Sequence, residues 1–262
     1  MSDMPSWEIE YRAQSKERID ASFVDLAKWA TKSEREIQNV SISVGGEPHP
    51  AESVFHSIRK VESSDPRIVV RGDTGFLDRL AFSHRTGKFL VEGDAGDGVA
   101  GQMAGGQVHV LGSAGDDVAA APGLQQRGMS GGRLFVHGSV GNRACHRMRR
   151  GEVFIGGNAQ QQLGSMLIAG TIWVTGSFGE HAGFGMSRGT IIGFALPELM
   201  RHRFSDPIVL PSNFLRLLAR KLADVDGLPH GVAELAEKTA QKALTSRGDF
   251  AVGGQGEWIC PA

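Results

Sequence analysis

The sequence of 262 residues predicts a mainly β protein, a right-handed parallel β-helix of about seven coils. The main observation is a set of short apolar strands that open and close on glycine at an almost constant interval of 19 residues. The opening glycines are Gly87, Gly106, Gly132, Gly151, Gly170 and Gly189, and the closing glycines are Gly93, Gly112, Gly138, Gly157 and Gly176. Both sets jump by 26 residues at the same place, so an insertion of seven residues lies around 120–123. The 19-residue spacing resumes after the insertion in both sets of glycines. Such a period indicates a solenoid, in which each coil buries its apolar residues against its neighbours.

The residues inside each period indicate strands rather than helices. Apolar side chains stand two and four positions after the opening glycine: Phe89 and Val91, Val108 and Val110, Leu134 and Val136, Val153 and Ile155, Ile172 and Val174. Such alternation is typical of a strand with one buried face. A period of 19 residues leaves no room for a helix besides the strands and corners, which excludes helical, ankyrin and leucine-rich repeats.

One glycine cluster imitates a nucleotide-binding motif. Gly96, Gly98 and Gly101 have the spacing G-x-G-x-x-G, but that motif binds dinucleotides only between a strand and the N-terminus of a helix. Here the three glycines belong to one copy of a repeated corner. The sequence therefore predicts no nucleotide site.

The predicted β-helix occupies residues 66–196, and residues 1–65 have a different pattern. They predict a helix over about 23–32 and a strand in which Val40, Ile42 and Val44 alternate. We expect this segment to cap the open end of the first coil, since solenoids need capped ends.

Residues 197–262 predict a helical C-terminal segment. Ser212 is a candidate N-cap for a first helix that ends near Gly227, and a second helix is expected over about 232–244. The apolar stripe of the first helix consists of Phe214, Leu215, Leu218 and Leu222. These helices either cap the last coil or cover one outer face of it.

The middle residue of each strand faces outward and forms a further column. It reads Leu90, His109, Phe135, Phe154, Trp173 and Ile192. Stacked one coil apart, these residues form a larger apolar patch than a soluble monomer usually exposes. This patch could be covered in two ways: by the chain's own C-terminal helices, or by another subunit at an interface formed by Phe135, Phe154, Trp173 and Ile192.

Composition and motifs offer little support for catalysis by this chain. The net charge of -1 and pI of about 6.8 give no electrostatic case for nucleic acid, and the absence of long apolar runs and of a signal peptide predicts a cytoplasmic protein. Cys145 and Cys260 are expected to be reduced thiols, because two cysteines are too few for a cluster. No metal-ligand spacing and no nucleophile motif appears in the sequence.

Aspartates recur at the corners of the repeat: Asp73, Asp94, Asp97, Asp116 and Asp117. Two roles are open for them. Capping of turns is favoured by their constant phase, whereas a catalytic row of the kind found in β-helix polysaccharide lyases would need acidic and basic residues along an outer strand face, and that face is aromatic.

The densest charge is a basic corner after the insertion. It consists of Arg143, Arg147, Arg149 and Arg150, with His146 among them and Arg127 in the insertion before it. Several cations at one corner are suited to an anionic ligand tail or an acidic subunit surface. The alternative is a set of solvated arginines that keep the coil soluble.

The glycine corners resemble those of a known superfamily. The β-helix domain of glutamate synthase large subunits is similar, and the C subunit of formylmethanofuran dehydrogenase and of the bacterial formyltransferase/hydrolase complex is more similar. The motifs that carry this resemblance are Pro122-Gly123, Arg127-Gly128-Met129-Ser130-Gly131-Gly132, Arg147-Met148-Arg149-Arg150-Gly151, Ala169-Gly170-Thr171-Ile172, Arg188-Gly189-Thr190-Ile191-Ile192 and the tail Gly248-Asp249-Phe250-Ala251-Val252.

The resemblance implies a scaffold without catalytic residues, cofactor or metal of its own. Its expected partners are a formyltransferase subunit, an amidohydrolase-like subunit and a dehydrogenase-like subunit. The complex would move formyl groups between tetrahydromethanopterin-type and methanofuran-type carriers in one-carbon metabolism. Methanofuran-type carriers end in acidic glutamyl chains, which gives the basic corner a candidate ligand.

Two other assignments stay open. One is the C subunit of an archaeal formylmethanofuran dehydrogenase, whose tungsten or molybdenum pterin and iron–sulfur clusters are held by other subunits. The other is a stand-alone β-helix subunit of an amidotransferase related to glutamate synthase. The tail motif and the insertion favour the formyl complexes, and the arginine and alanine content favours the bacterial one.

Overall fold

The structure is a computed structural model that describes residues 5–13, 16–197, 202–210 and 213–262. Its strands are β1 (Ser6–Tyr11), β2 (Ile19–Asp20), β3 (Ser41–Val44), β4 (Glu47–Pro50), β5 (Ser57–Val61), β6 (Arg67–Gly72), β7 (Leu77–Asp78), β8 (Lys88–Glu92), β9 (Ala104–Val110), β10 (Ser130–Val136), β11 (Arg150–Ile155), β12 (Thr171–Val174), β13 (Thr190–Gly193), β14 (Ile208–Leu210), β15 (Ala243–Gly248) and β16 (Gly256–Pro261). Its helices are α1 (Leu26–Trp29), α2 (Glu34–Gln38), α3 (Ala51–Val54), α4 (Asn213–Ala223) and α5 (Val232–Gln241).

Most strands join one sheet of 12 strands, in the order β14-β15-β16-β13-β12-β11-β10-β9-β8-β6-β1-β5. The pairing is parallel from β1 to β13 and on to β16, and antiparallel only at the two ends. The prediction of a mainly β protein with parallel strands is confirmed. The sequence period is the hydrogen-bonding register, because Leu134 pairs with Val108 on one side and with Val153 on the other.

The inward side chains of these strands form the core. The positions two residues after an opening glycine, which were predicted to face inward, are fully buried at Phe89, Val108, Leu134, Val153 and Ile172, and Ile191 at the same phase is buried as well. Gly132 allows the coils to stack this closely. Its φ is +87°, and a Cβ there would lie 2.8 Å from the carbonyl oxygen of Gly106 on the preceding coil.

The corner polar residues form two ladders of hydrogen bonds from one coil to the next. Asp94 Oδ1 accepts from the backbone N–H of Ser113 at 2.7 Å, and Asp97 Oδ1 accepts from that of Asp116 at 2.8 Å. The same pattern continues through Ser113, Ser139 and Asn158 in the first ladder and through Asp116 and Asn142 in the second. Asp94, Asp97 and Asp116 therefore accept from backbone N–H groups of the next coil, whereas Asp117 pairs with Arg143 and Asp73 accepts from the Ala13 N–H.

The N-terminal residues extend the sheet. Strand β1 lies between β6 and β5, and its Trp7, Ile9 and Tyr11 are buried. The helix predicted over 23–32 is reduced to one turn, α1, which begins after the N-cap Asp25. The predicted strand around Ile42 is β3, which pairs with β4 in a separate hairpin.

The C-terminal segment has the two predicted helices, α4 and α5, but it is not only helical. Strand β16 continues the parallel sheet beyond β13 and buries Trp258, and β15 and β14 follow it as antiparallel strands. The buried Asp249 ties this segment to the last coil, since it accepts from Arg203 Nε at 2.6 Å and from the Gly185 N–H at 2.9 Å. The N-cap prediction for Ser212 falls outside the described residues.

The outer apolar column is covered by the chain itself. Phe135, Phe154, Trp173 and Ile192 are at most 1% exposed. They pack against α4 and α5 through Leu215, Leu222, Val232 and Leu235. The assignment of these four residues to a subunit interface is therefore corrected: two amphipathic helices remove them from any surface that a partner can touch.

The column is also a stack of rings. The ring of His109 lies 4.2 Å from that of Phe135, Phe135 lies 5.0 Å from Phe154, and Phe154 lies 6.4 Å from Trp173. Parallel rings one coil apart add directional contacts to the burial of apolar area. Burial, with smaller contributions from His137 and Lys88, lowers the pKa of His109 to about 4.

Two further features concern the cysteines and the helices. Cys145 and Cys260 are both buried and unpaired, and burial raises the pKa of each thiol. Within the described part of the chain, no helix has the length and apolar character needed to cross a bilayer.

The corner ladders make a prediction about Asp94. Replacing it with Ala removes the acceptor for the Ser113 N–H, and we expect the free energy of unfolding to fall by about 1 kcal/mol. Asp94→Asn is the matched control, because Asn158 fills the same phase and accepts from Ser177. Urea unfolding of both variants measures the difference, and an equal loss in both would contradict a role for the acceptor.

The covered column makes a second prediction. Phe154→Ala opens a cavity under α4 and α5, so we expect the free energy of unfolding to fall by about 3–5 kcal/mol. Phe214→Ala is the control, because Phe214 is 60% exposed on α4; we expect it to cost less than about 0.5 kcal/mol. A stable Phe154→Ala protein that loses a binding partner would restore the interface assignment.

The half-buried His109 makes a third prediction. The pKa of His109 is about 4 in the folded chain and has an ordinary value of 6.5. Between these values the unfolded chain binds the proton and the folded chain does not, so this contribution to stability is full above pH 6.5 and is lost as the pH falls towards 4. In His109→Phe, unfolding measured across this range should show a shallower pH dependence. An unchanged slope would contradict the prediction.

Candidate functional site

The seven-residue insertion is held in a fixed position against the coils. Arg147 donates through Nη1 to the carbonyl oxygen of Gln125 at 3.2 Å and to the side chain of Gln126. Gln102 donates to the side chain of Gln125 and, at 3.4 Å, to the carbonyl oxygen of Arg127. Because these contacts hold the residues around Arg127, its backbone has a defined place beside the neighbouring coils.

Next to the insertion lies an open cleft of about 490 Å³. It is lined by Ser83, Arg85, Gln102, Ala104, Arg127, Gly128, Ser130, Arg149 and Arg150. All four of its arginines are exposed. The lining contains four cationic side chains and no carboxylate, so the electrostatic potential of this arginine cleft is positive.

The repeat determines where these residues lie. Arg85, Ala104, Ser130 and Arg149 each stand two positions before an opening glycine, on four successive coils. Their backbones stack by hydrogen bonds: the N–H of Ala104 donates to the His84 carbonyl at 2.8 Å, and those of Ser130 and Arg149 donate to the Met103 and Met129 carbonyls at 2.7 and 2.8 Å. The small side chains of Ala104 and Ser130 thus form a trough with an arginine at either end.

The structure brings three of the five predicted basic residues together and separates the other two. Arg127, Arg149 and Arg150 line the cleft. Arg143 instead forms an ion pair with Asp117, with Nε 2.8 Å from Oδ1, and this hydrogen bond raises the pKa of Arg143. Arg147 is used to hold the insertion.

Sequence reasoning missed Arg85. It lies far from the basic run in the sequence, before the first opening glycine. The signal that would have found it is the repeat phase, because Arg85 and Arg149 occupy the same position in their coils. His146, within the basic run, is half-buried and contacts the Ser165 hydroxyl at 2.8 Å through Nδ1.

The described residues offer no comparable arrangement for metal binding. Among them no group of three or more histidine, cysteine, aspartate or glutamate side chains is placed to hold a metal ion. The corner carboxylates are hydrogen-bonded to backbone N–H groups of the next coil. The arginine cleft is therefore the candidate functional site, and its chemistry is that of anion binding.

Comparisons with known proteins agree with this architecture. The model of the GXGXG motif family matches residues 27–209. Among solved structures, the chain is similar to one in the X-ray crystal structure of the formyltransferase/hydrolase complex FhcABCD from Methylorubrum extorquens in complex with methylofuran. The two chains are 28% identical, with a TM-score of 0.81 and coverage of 97% of this chain and 99% of that one.

No curated protein sequence matches the chain. The family model nevertheless covers well over half of its residues, including every coil that carries the opening and closing glycines. The chain belongs to the GXGXG motif family.

Proposed function

We propose that this chain is the counterpart of the C subunit in a formyltransferase/hydrolase complex and acts there as a non-catalytic scaffold. The observation that carries the proposal is the similarity to one chain of the FhcABCD complex over 97% of this chain and 99% of that chain. A match over both full lengths supports an equivalent role more strongly than a shared repeat alone, because it includes the N-terminal and C-terminal segments.

The proposed architecture is a right-handed parallel β-helix of about seven coils over residues 66–196. Residues 1–65 form its N-terminal cap region, and residues 197–262 form a C-terminal segment that covers the outer column. The parallel pairing of β6 to β13 supports this division. So does a second line of parallel bridges that links Ala95, Ala114, Val140, Ala159 and Phe178 from coil to coil.

The scaffold role is supported by the way this chain uses its polar groups. Its corner carboxylates cap backbone N–H groups, and its buried histidine His84 bonds to the Gly87 carbonyl. We infer that formyl transfer and hydrolysis take place on the partners, a formyltransferase subunit, an amidohydrolase-like subunit and a dehydrogenase-like subunit. The carriers of the complex would be of the methanofuran type, as methylofuran is in the similar structure, and of the tetrahydromethanopterin type.

The arginine cleft is the part of this chain that we propose to meet those partners or carriers. Arg127, Arg149 and Arg150 remain from the predicted basic corner, and Arg85 joins them. Exposed pairs contribute about 0–1 kcal/mol each, so several together would hold an anionic carrier tail or subunit surface in a salt-dependent way.

The scaffold proposal predicts that the purified chain alone releases no formate from a formyl-carrier, because the sequence shows no nucleophile motif and no group of the described residues is placed to hold a metal ion. A tagged chain expressed in its native cell should instead recover the formyltransferase and amidohydrolase-like subunits. The measurement is formate release by the isolated chain and by the recovered assembly, side by side. Activity in the isolated chain, or recovery of the chain without any partner, would overturn the proposal.

A further inference from the structure

We propose that the seven-residue insertion is a docking point for a partner subunit. Leu124 enters an apolar socket of that partner, and an acidic pocket beside the insertion receives one of its lysine or arginine side chains. The inference rests on the proposed function for the identity of the partner, which is the formyltransferase, the amidohydrolase-like or the dehydrogenase-like subunit. The chemistry of the surface that fits is argued from this chain alone.

The first argument is the exposure of Leu124. It lies in the insertion and is 96% exposed, more than the 65% of Leu217 on α4. In the chain alone, Leu124 keeps its apolar surface in water, and a partner that covers it removes that surface from water, which is favourable. Insertions in repeat proteins often lie on the binding face. Leu124 is therefore placed where covering it favours association.

The second argument is that the insertion holds Leu124 in one position. The N–H of Gln125 donates to the Pro122 carbonyl at 3.1 Å, which closes a turn around Leu124. Arg147 donates to the carbonyl of Gln125 at 3.2 Å and to the side chain of Gln126. Because both residues after Leu124 are already fixed, binding through this loop loses little conformational entropy.

The third argument is a pocket of about 240 Å³ that the insertion helps to form. We call it the insertion pocket, and it shares no lining residue with the arginine cleft. Its apolar wall consists of Phe82, Ala120 and Pro122. Because Ala120 and Pro122 come directly before Leu124 in the chain, a partner that covers Leu124 also reaches this pocket.

The insertion pocket is acidic. Asp78, Asp97 and Asp117 line it together with one cation, Arg79. Five carboxylates at this corner share three guanidinium groups: Asp20, Asp78, Asp97, Asp116 and Asp117 with Arg18, Arg79 and Arg143. The excess of carboxylates makes the potential in the insertion pocket negative, whereas that in the arginine cleft is positive.

These features together define the partner. Lysine and arginine have an apolar stem and a charged end, so such a side chain can lie on the apolar wall and bring its charge to the carboxylates. A small organic cation could also enter the insertion pocket, but it would leave Leu124 exposed. The surface that fits both features is a protein surface with an apolar socket next to a basic residue.

The first test is co-expression of the full chain with the three proposed partner subunits. We expect Leu124→Asp to lower the recovery of a partner at least about tenfold, because a charge would enter a desolvated socket. Leu124→Met should bind as the wild type does. Leu217→Asp is the matched control, since Leu217 is an exposed leucine outside the insertion.

A folding defect does not explain the expected loss, because substitutions of exposed side chains change the free energy of unfolding by less than about 0.5 kcal/mol. Urea unfolding of Leu124→Asp checks this. Recovery of all partners by a folded Leu124→Asp chain, or an equal loss in Leu217→Asp, would overturn the proposal.

The second test removes one charge from the insertion pocket. Asp97→Asn keeps the Oδ1 atom that accepts from the Asp116 N–H at 2.8 Å, and Asn142 already accepts from the Gln161 N–H at the same phase. We expect partner binding to weaken about two- to fivefold, as for one exposed ion pair. Asp94→Asn is the control, because Asp94 caps the other ladder outside this pocket. Binding unchanged by Asp97→Asn, or weakened equally by Asp94→Asn, would contradict the role of the pocket.

The third test places a photo-crosslinking amino acid at position 124 of the chain in the assembled complex. We expect a crosslink to a partner peptide that contains a lysine or arginine beside apolar residues. A crosslink to a second copy of this chain, or to a peptide without a basic residue, would overturn the proposal.

The wild-type chain separates this inference from the proposed function. A wild-type chain that recovers none of the three subunits refutes the proposed function, and with it the partner named here. A wild-type chain that recovers them, together with a Leu124→Asp chain that does so equally well, refutes this inference alone.

Discussion

The structure depends on the parallel hydrogen bonding that places each coil in register on the one before it. The lateral neighbours of a residue are the residues one full period before and after it in the sequence. Residues at the same position of the repeat therefore contact one another: Leu134 pairs with Val108 and Val153, and Phe135 pairs with His109 and Phe154. A change in one coil is therefore felt by its two neighbours. This constraint explains why the insertion between β9 and β10 is accommodated as a surface loop: after a bulge between Gly131 and Arg133, the register of the two strands is regular from Arg133 to Val136.

The same constraint decides what the sequence could predict. The inward columns were predictable because apolar alternation and glycine spacing directly reflect the register. The corners were harder to predict. At three positions of the repeat the backbone has a positive φ although the residue is usually not glycine, for example Ala100 at +54° and Cys145 at +61°. Glycine fills the phase of these two residues only at Gly164 and Gly183. A left-handed residue with a Cβ costs about 1 kcal/mol or more, and the coil-to-coil hydrogen bonds impose it against local preference.

The C-terminal strands were missed for a different reason. Strand β16 continues the sheet beside β13, with Gly256 two positions before the buried Trp258 just as Gly189 is two positions before Ile191. Because Gly256 follows Gly189 by 67 residues (256 minus 189) and not by 19, the repeat period did not reveal it. The helices α4 and α5 were predictable from their apolar stripes, but the surface against which they pack was not. Whether an outer apolar column is covered by its own chain or by a partner depends on tertiary packing, which periodicity does not encode.

The candidate site follows from an exception to the pairing of columns. Several other charges of the coils are satisfied within the chain, through corner ladders such as Asp97 to Asp116 and through pairs such as Arg133 with Glu152. A charged run in the sequence was therefore a poor guide by itself: Arg143 proved to be paired with Asp117, whereas the isolated Arg85 faces the cleft. In a repeat protein, a better guide to a charged surface site is a position where the same charge recurs at a fixed phase and the coils between carry no residue of opposite charge at that phase. Here Ala104 and Ser130 stand at that phase and no carboxylate lines the cleft, so the potential around Arg85 and the other cleft arginines stays positive.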